Sequence, residues 1–119
     1  MSYIDGFVVP VAKKNLSAYR RMGRLVGKVF RELGAVEFRE WVADDVKVGK
    51  WTSFPRSVKL KRGETVVFSY IVYKSRAERY RIVRQTMKDA RLAAIMKPGA
   101  MPFDGKRMIF GGFKKLFEV

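Results

Sequence analysis

Glu64-Thr-Val-Val-Phe-Ser-Tyr-Ile-Val-Tyr73 decides the fold. It is β-branched and aromatic almost throughout and carries no helix period, so it forms a strand. Its alternate residues, Val67, Ser69, Ile71 and Tyr73 against Val66, Phe68, Tyr70 and Val72, make both faces apolar. A strand of that kind is covered on two sides.

Working outward, Ser75 and Glu78 form a capping-box pair, so a helix starts directly after the strand and runs to about Asp89. Ala77, Tyr80, Val83 and Met87 are its expected buried face. A short helical turn, Arg91 to Met96, leads into the breakers Lys97-Pro98-Gly99-Ala100-Met101-Pro102. A last strand follows from Arg107 to Phe117, where Gly111-Gly112 indicates a bulge or a close backbone approach. Upstream of Glu64, Val46 to Gly63 is irregular and Ala35 to Val42 is a strand ending at Asp44-Asp45.

Before that comes the clearest helix, Leu16 to Leu33, with Asn15 as its expected N-cap and Gly34 just past its end. Leu16, Tyr19, Met22, Val26, Val29, Phe30 and Leu33 share one face, and Arg20, Arg21, Arg24, Lys28 and Arg31 the other. Tyr3 to Val11 is the opening strand and closes on Pro10, a residue at home at strand ends and edges.

The order is therefore β-α-β-β-α-β. That is a single α+β domain, residues 1–119, of ferredoxin-like type: two helices on one face of a four-stranded antiparallel sheet. The other sheet face is left bare and apolar, which monomers rarely tolerate. A sheet-to-sheet homodimer, or a flat aromatic ligand, is expected to cover it.

Composition bounds the chemistry. The 119 residues include 26 Lys plus Arg against 11 Asp plus Glu, for a net charge of +15, with no His and no Cys. Imidazole bases, thiolate nucleophiles, disulfides and cysteine metal clusters are thus excluded, and no metal or cofactor is expected. At 48% hydrophobic the chain is too apolar for a disordered basic tail. There is no apolar run of membrane-spanning length and no signal-peptide pattern at Met1 to Asp5, so a cytoplasmic protein without a membrane partner is expected.

Several blocks together point to a family. Ser2-Tyr-Ile-Asp-Gly-Phe-Val-Val-Pro-Val11, Ala43-Asp-Asp-Val46, Gly49-Lys-Trp-Thr-Ser-Phe-Pro-Arg-Ser-Val-Lys-Leu60, Thr65 to Arg76, and Met101-Pro-Phe-Asp-Gly-Lys-Arg-Met-Ile-Phe-Gly-Gly-Phe113 resemble the YbaA-like family of uncharacterised bacterial proteins. The resemblance spans nearly the whole chain. It implies a dimeric α+β barrel, an architecture shared with small monooxygenases and muconolactone isomerases, and brings no activity with it. The chain departs from the pattern at Trp41, where relatives often have Cys, at Leu33 and Glu78, where they often have His, and at Lys47, where Pro is usual. Such departures fit drift in one lineage or a redesign.

Three groups of residues are candidates for function. Asp44 and Asp45 could supply a catalytic acid or base, against an ordinary turn at the strand end. Trp41, with Lys50, Thr52, Phe54 and Arg56 of the irregular stretch, offers hydroxyls, cations and aromatics to a ligand, against a loop that closes the barrel or crosses a dimer interface. Arg20, Arg24, Lys28 and Arg31, continued by Arg79, Arg81, Arg84 and Lys88, could contact the phosphates of a nucleic acid, against a solvated helix face. Asp104-Gly105-Lys106-Arg107 is first a tight turn. The final Phe110-Gly-Gly-Phe113 echoes the RNA-recognition signature, but that signature belongs on the third strand and so fails by position.

The expected function is the binding of a small apolar or aromatic molecule in a pocket between sheet and helices. The alternatives are nonspecific polyanion binding and a cofactor-independent enzyme working with Asp, Glu, Lys and Tyr alone.

Overall fold

The computed structural model describes residues 2–97 and 99–119. Strand β1 (Tyr3–Ala12) leads through a 3-10 turn (Lys13–Asn15) into helix α1 (Leu16–Leu33), then strand β2 (Glu37–Val42), a short helix α2 (Phe54–Ser57), strand β3 (Glu64–Tyr73), helices α3 (Arg76–Thr86) and α4 (Ala90–Ile95), and strand β4 (Ile109–Lys114). The sheet order is β2-β3-β1-β4, with every pairing antiparallel. This is the ferredoxin-like arrangement the sequence implied, with β3 central and apolar on both faces.

Register assigns the two faces. Tyr3–Tyr73, Asp5–Ile71, Phe7–Ser69 and Val9–Val67 are opposed across β1 and β3, and these residues face the helices. Val9, Val11, Tyr19 and Val67 form one buried cluster, and Ala35, Ile71, Tyr73 and Ile82 a second. The reverse face is bare only in part. Residues 43–60 fold back over one end of it, where Val58 packs on Val8 and Val66 with Ala43 and Leu60 alongside. Beyond that cover Phe68 and Phe113 are 44% and 58% exposed.

Local chemistry accounts for the departures from expectation. Asn15 makes no capping bond, since it ends the 3-10 turn that carries the chain from β1 into α1. Gly34, at φ 118°, closes α1 as expected: its own N–H and that of Ala35 return to the carbonyls of Arg31 and Phe30. Pro10 lies inside β1 rather than at its end, two residues past the last β4 pair at Val8–Ile109.

Helix α2 was hidden in the irregular stretch. Ser53 caps it by accepting from the Arg56 N–H at 3.1 Å, Pro55 sits in its first turn, and Lys59, at φ 50°, ends it. Ser75 caps α3 as expected, accepting from Glu78 N–H at 3.1 Å, but the helix stops at Thr86, and Asp89 caps α4.

The buried face of α3 also differs from the pattern. Ile82 and Thr86 are buried, whereas Ala77, Tyr80 and Met87 are exposed, because the helix turns Arg79 inward to meet Asp5. Pro98, within the breaker segment, lies outside the described residues. Strand β4 is shorter than Arg107 to Phe117, and its glycines run in unbroken register with β1. Close approach, not a bulge, is their use: a Cβ on Gly112 would stand 2.8 Å from Cε2 of Tyr3.

Candidate functional site

Between the sheet and helices α1, α3 and α4 lies a cavity of about 420 Å³. Phe7, Ile71 and Tyr73 wall it from the sheet, Val26 and Phe30 from α1, Val83 from α3, Leu92 from α4 and Met96 from just past its end. The side chain of Phe110 stacks on Phe7 with ring centres 6.0 Å apart and, being largely exposed, stands at the mouth with Met87.

One polar cluster interrupts this apolar lining. Asp5, 4% exposed, accepts from Nε of Arg79 at 3.0 Å, from Nη2 at 2.7 Å and from the Tyr73 hydroxyl at 2.9 Å. The guanidinium lies between the rings of Tyr3 and Tyr80, 5.8 and 5.2 Å from their centres. Burial, then the Asp5 charge, pushes the Tyr73 phenol above its ordinary value, and the hydrogen bonds to Asp5 push Arg79 up as well. Neither gives up its proton near neutrality, so the cluster supplies a fixed, balanced pair of charges in an apolar wall.

A second concavity, of about 790 Å³, runs between α1 and β2. Gly23 and Gly27 let the helix close on the strand: a Cβ on Gly27 would lie 2.7 Å from Cδ1 of Phe38, and one on Gly23 2.6 Å from Oε2 of Glu40. Glu40 accepts from the Tyr19 hydroxyl. Burial raises its carboxyl above the usual range, opposed by that hydrogen bond. Arg20, Arg24, Lys28 and Arg31 line the helix side, and Leu16, Phe38, Val42 and Val67 provide apolar surface.

The residues singled out from sequence fall in separate places. Asp44 and Asp45 are exposed, with Asp45 3.5 Å from Lys47. Lys50, Thr52, Phe54 and Arg56 lie on the segment over the reverse sheet face, and Phe54 meets Phe68 edge to face at 5.9 Å. Arg56 is turned onto its own loop, donating to the carbonyls of Val48 at 3.0 Å and Gly49 at 2.8 Å. Trp41 pairs with Phe68 across the sheet and borders the α1–β2 groove.

The basic helix faces are less continuous than the sequence suggests. Arg31 donates to the carbonyl of Ala35 at 2.9 Å and to that of Val36, and Arg81 to Leu33 O at 2.7 Å and to both oxygens of Glu78. Arg79 is held by Asp5, whereas Arg20, Arg24, Lys28, Arg84 and Lys88 remain exposed. In the Asp104 turn the carboxylate accepts from Lys106 N–H at 3.0 Å, and Arg107 is taken up by Glu64.

Asp5 and Glu40 escaped the sequence reading. Strand alternation was the available signal, since Asp5 falls in phase with Phe7, Val9 and Val11, and Glu40 with Phe38 and Val42. A carboxylate on an inward phase requires a partner.

Comparison with known proteins fits this architecture. A family model described as a protein of unknown function, DUF1428, matches residues 2–105. The uncharacterised protein YbaA of Escherichia coli K12 is 42% identical over 118 residues, covering 99% of both chains, and the Shigella flexneri protein matches equally. Among solved structures, a dimeric ferredoxin-like protein from an uncultured marine organism superposes with a TM-score of 0.61 at 10% identity, covering all of both chains. The de novo designed protein Foldit4 does so with a TM-score of 0.50 at 10% identity, covering 97% of this chain and 99% of that one. At that identity the two structures speak to the fold alone. No helix among the described residues is long and apolar enough to cross a membrane.

Proposed function

The chain belongs to the DUF1428 family, and from that footing we propose that it acts as a homodimer that holds a small apolar or aromatic molecule in the cavity between the sheet and α1, α3 and α4. The observation that carries this is the cavity itself: about 420 Å³, within the range of small-molecule sites, and apolar except for Thr86 and one charge-balanced cluster. Apolar walls favour a ligand of the same kind through the area removed from water. The Asp5–Arg79–Tyr73 cluster gives such a ligand one polar point by which to orient.

The dimer is supported by the exposed aromatics of the reverse face and by the dimeric description of the ferredoxin-like neighbour. Sheet-to-sheet packing would bury Phe68 and Phe113 and close the barrel.

Two measurements test the proposal. Sedimentation at micromolar concentration should return a dimer. N-phenyl-1-naphthylamine, neutral and fluorescent in apolar surroundings, should bind saturably to the parent protein and lose that binding in Ala93→Trp, which places an indole at the cavity wall. A monomer would remove the barrel, and probe binding undiminished in the variant would remove the cavity as the site.

A further inference from the structure

We propose that the α1–β2 groove is a second binding site, for a free amphipathic organic anion: a molecule with an apolar body and one acidic head. Arg20, Arg24 and Lys28 recur every four residues on the groove side of α1, so their attachment points rise in steps of about 6 Å along the helix. All three are exposed, and none is in an ion pair among the described residues. Arg31, at the end of the row, is already committed to the carbonyls of Ala35 and Val36. Opposite the row, Phe38 and Val42 of β2, with Val67 behind them, present apolar surface.

The two walls select against simpler occupants. A purely hydrophilic polyanion would neutralise the cations but leave the apolar wall wet. A neutral apolar molecule would cover that wall but leave three like charges uncompensated at its edge. A molecule with both characters answers both walls, in a concavity of about 790 Å³, which is of ligand-binding size. The single acid in the groove, Glu40, accepts from the Tyr19 hydroxyl and is in no ion pair with the cationic row among the described residues.

The site is independent of the cavity proposed above, and the test keeps them apart. In a variant carrying Ala93→Phe to fill the cavity without adding an indole, and Trp51→Phe to remove the 86%-exposed tryptophan, Trp41 beside the groove is the remaining indole and so the donor for energy transfer to bound 8-anilino-1-naphthalenesulfonate. The sulfonate should bind saturably, and Arg20→Gln with Arg24→Gln should weaken it about ten-fold or more, as expected when a charged head loses its partners. Both arginines are exposed, so folding is preserved and circular dichroism should be unchanged. Equal affinity in the Gln variant would overturn the proposal. So would displacement of the sulfonate by oligothymidylate, which would make the row a polyanion contact, or by anionic phospholipid vesicles, which would make it a membrane contact.

Discussion

Arg79 on α3 reaches across to β1 and clasps Asp5 with two parallel hydrogen bonds, Nε to Oδ2 at 3.0 Å and Nη2 to Oδ1 at 2.7 Å. This clasp, with the Tyr73 hydroxyl on Oδ2 as well, ties α3 to β1 across a sequence separation of 74 residues. Removing one partner strands the other charge in an apolar wall. Asp5→Ala and Arg79→Ala should each cost about 3 kcal/mol in urea unfolding. The double variant Asp5→Leu/Arg79→Met should lose clearly less than the two single losses combined, because it leaves no charge behind. Additive losses would show that the pair is not energetically coupled.

Gly23 and Gly27 look equivalent on the helix, yet their neighbours differ. Alanine at either gains about 1 kcal/mol of helix propensity. At Gly27 the new methyl meets the Phe38 ring, with Cδ1 at 2.7 Å and Cε1 at 3.1 Å, and Phe38 is fixed by packing against Phe30. Overpacking of that kind costs about 1–3 kcal/mol, so Gly27→Ala should be net destabilising. At Gly23 the nearest atom is Oε2 of Glu40, at the end of a side chain that can yield only against its hydrogen bond from Tyr19, so that cost offsets the propensity gain and Gly23→Ala should be neutral within about 0.5 kcal/mol. Thermal melts of the two variants decide the matter, and equal shifts would refute it.

The element order β-α-β-β-α-β, the two long helices and the capping by Ser75 and Gly34 were all legible in the sequence because each follows from local rules satisfied locally. The α3 face was not. Periodicity counts apolar residues, and it was a charged one, Arg79, that turned inward to meet Asp5, 74 residues away in the chain. Arg31, Arg56 and Arg81 were misjudged for the same reason. Arg31 and Arg56 turn onto carbonyls of their own neighbouring turns and Arg81 onto Glu78 and the distant Leu33 carbonyl, so a charge that counts as free in a helical pattern is a structural bond in the fold. The cavity under α3 and α4 is walled by elements far apart in sequence, and no local pattern encodes that gap.

Glu64 and Glu40 give opposite pH dependences. The hydrogen bonds from Arg107 hold Glu64 below the ordinary glutamate value of 4.5. Its contribution to stability is therefore present above pH 4.5 and lost as pH falls through the lower folded value. Burial raises Glu40, so the folded state binds the extra proton, and stability falls as pH rises from 4.5 to the higher folded value. Melting temperatures measured against pH should show Glu64→Gln less stable than the parent at pH 7, the difference shrinking in acid. Glu40→Gln should instead gain on the parent as pH rises above 4.5. If both variants track the parent at every pH, neither carboxylate is coupled to folding.

Phe113 lies flat over the sheet on the reverse face, its ring within 3.6 Å of where a Cβ on Gly6 would be and 3.9 Å of one on Gly111. The paired glycines Gly6 and Gly111 leave a shallow seat for that ring, with Phe68 also exposed on this face. Covering such a patch with a second sheet removes aromatic area from water at about 25 cal/mol per Å². Phe113→Glu would place a carboxylate in the contact and, across a two-fold axis, oppose it to its own copy. The variant should sediment as a monomer at micromolar concentration with its melting temperature lowered. Phe54→Ser, at the edge of the patch where residues 43–60 cover the sheet, should weaken the dimer without dissociating it. A Phe113→Glu protein that stays dimeric would place the interface elsewhere, and the exposed reverse face would then need a different occupant.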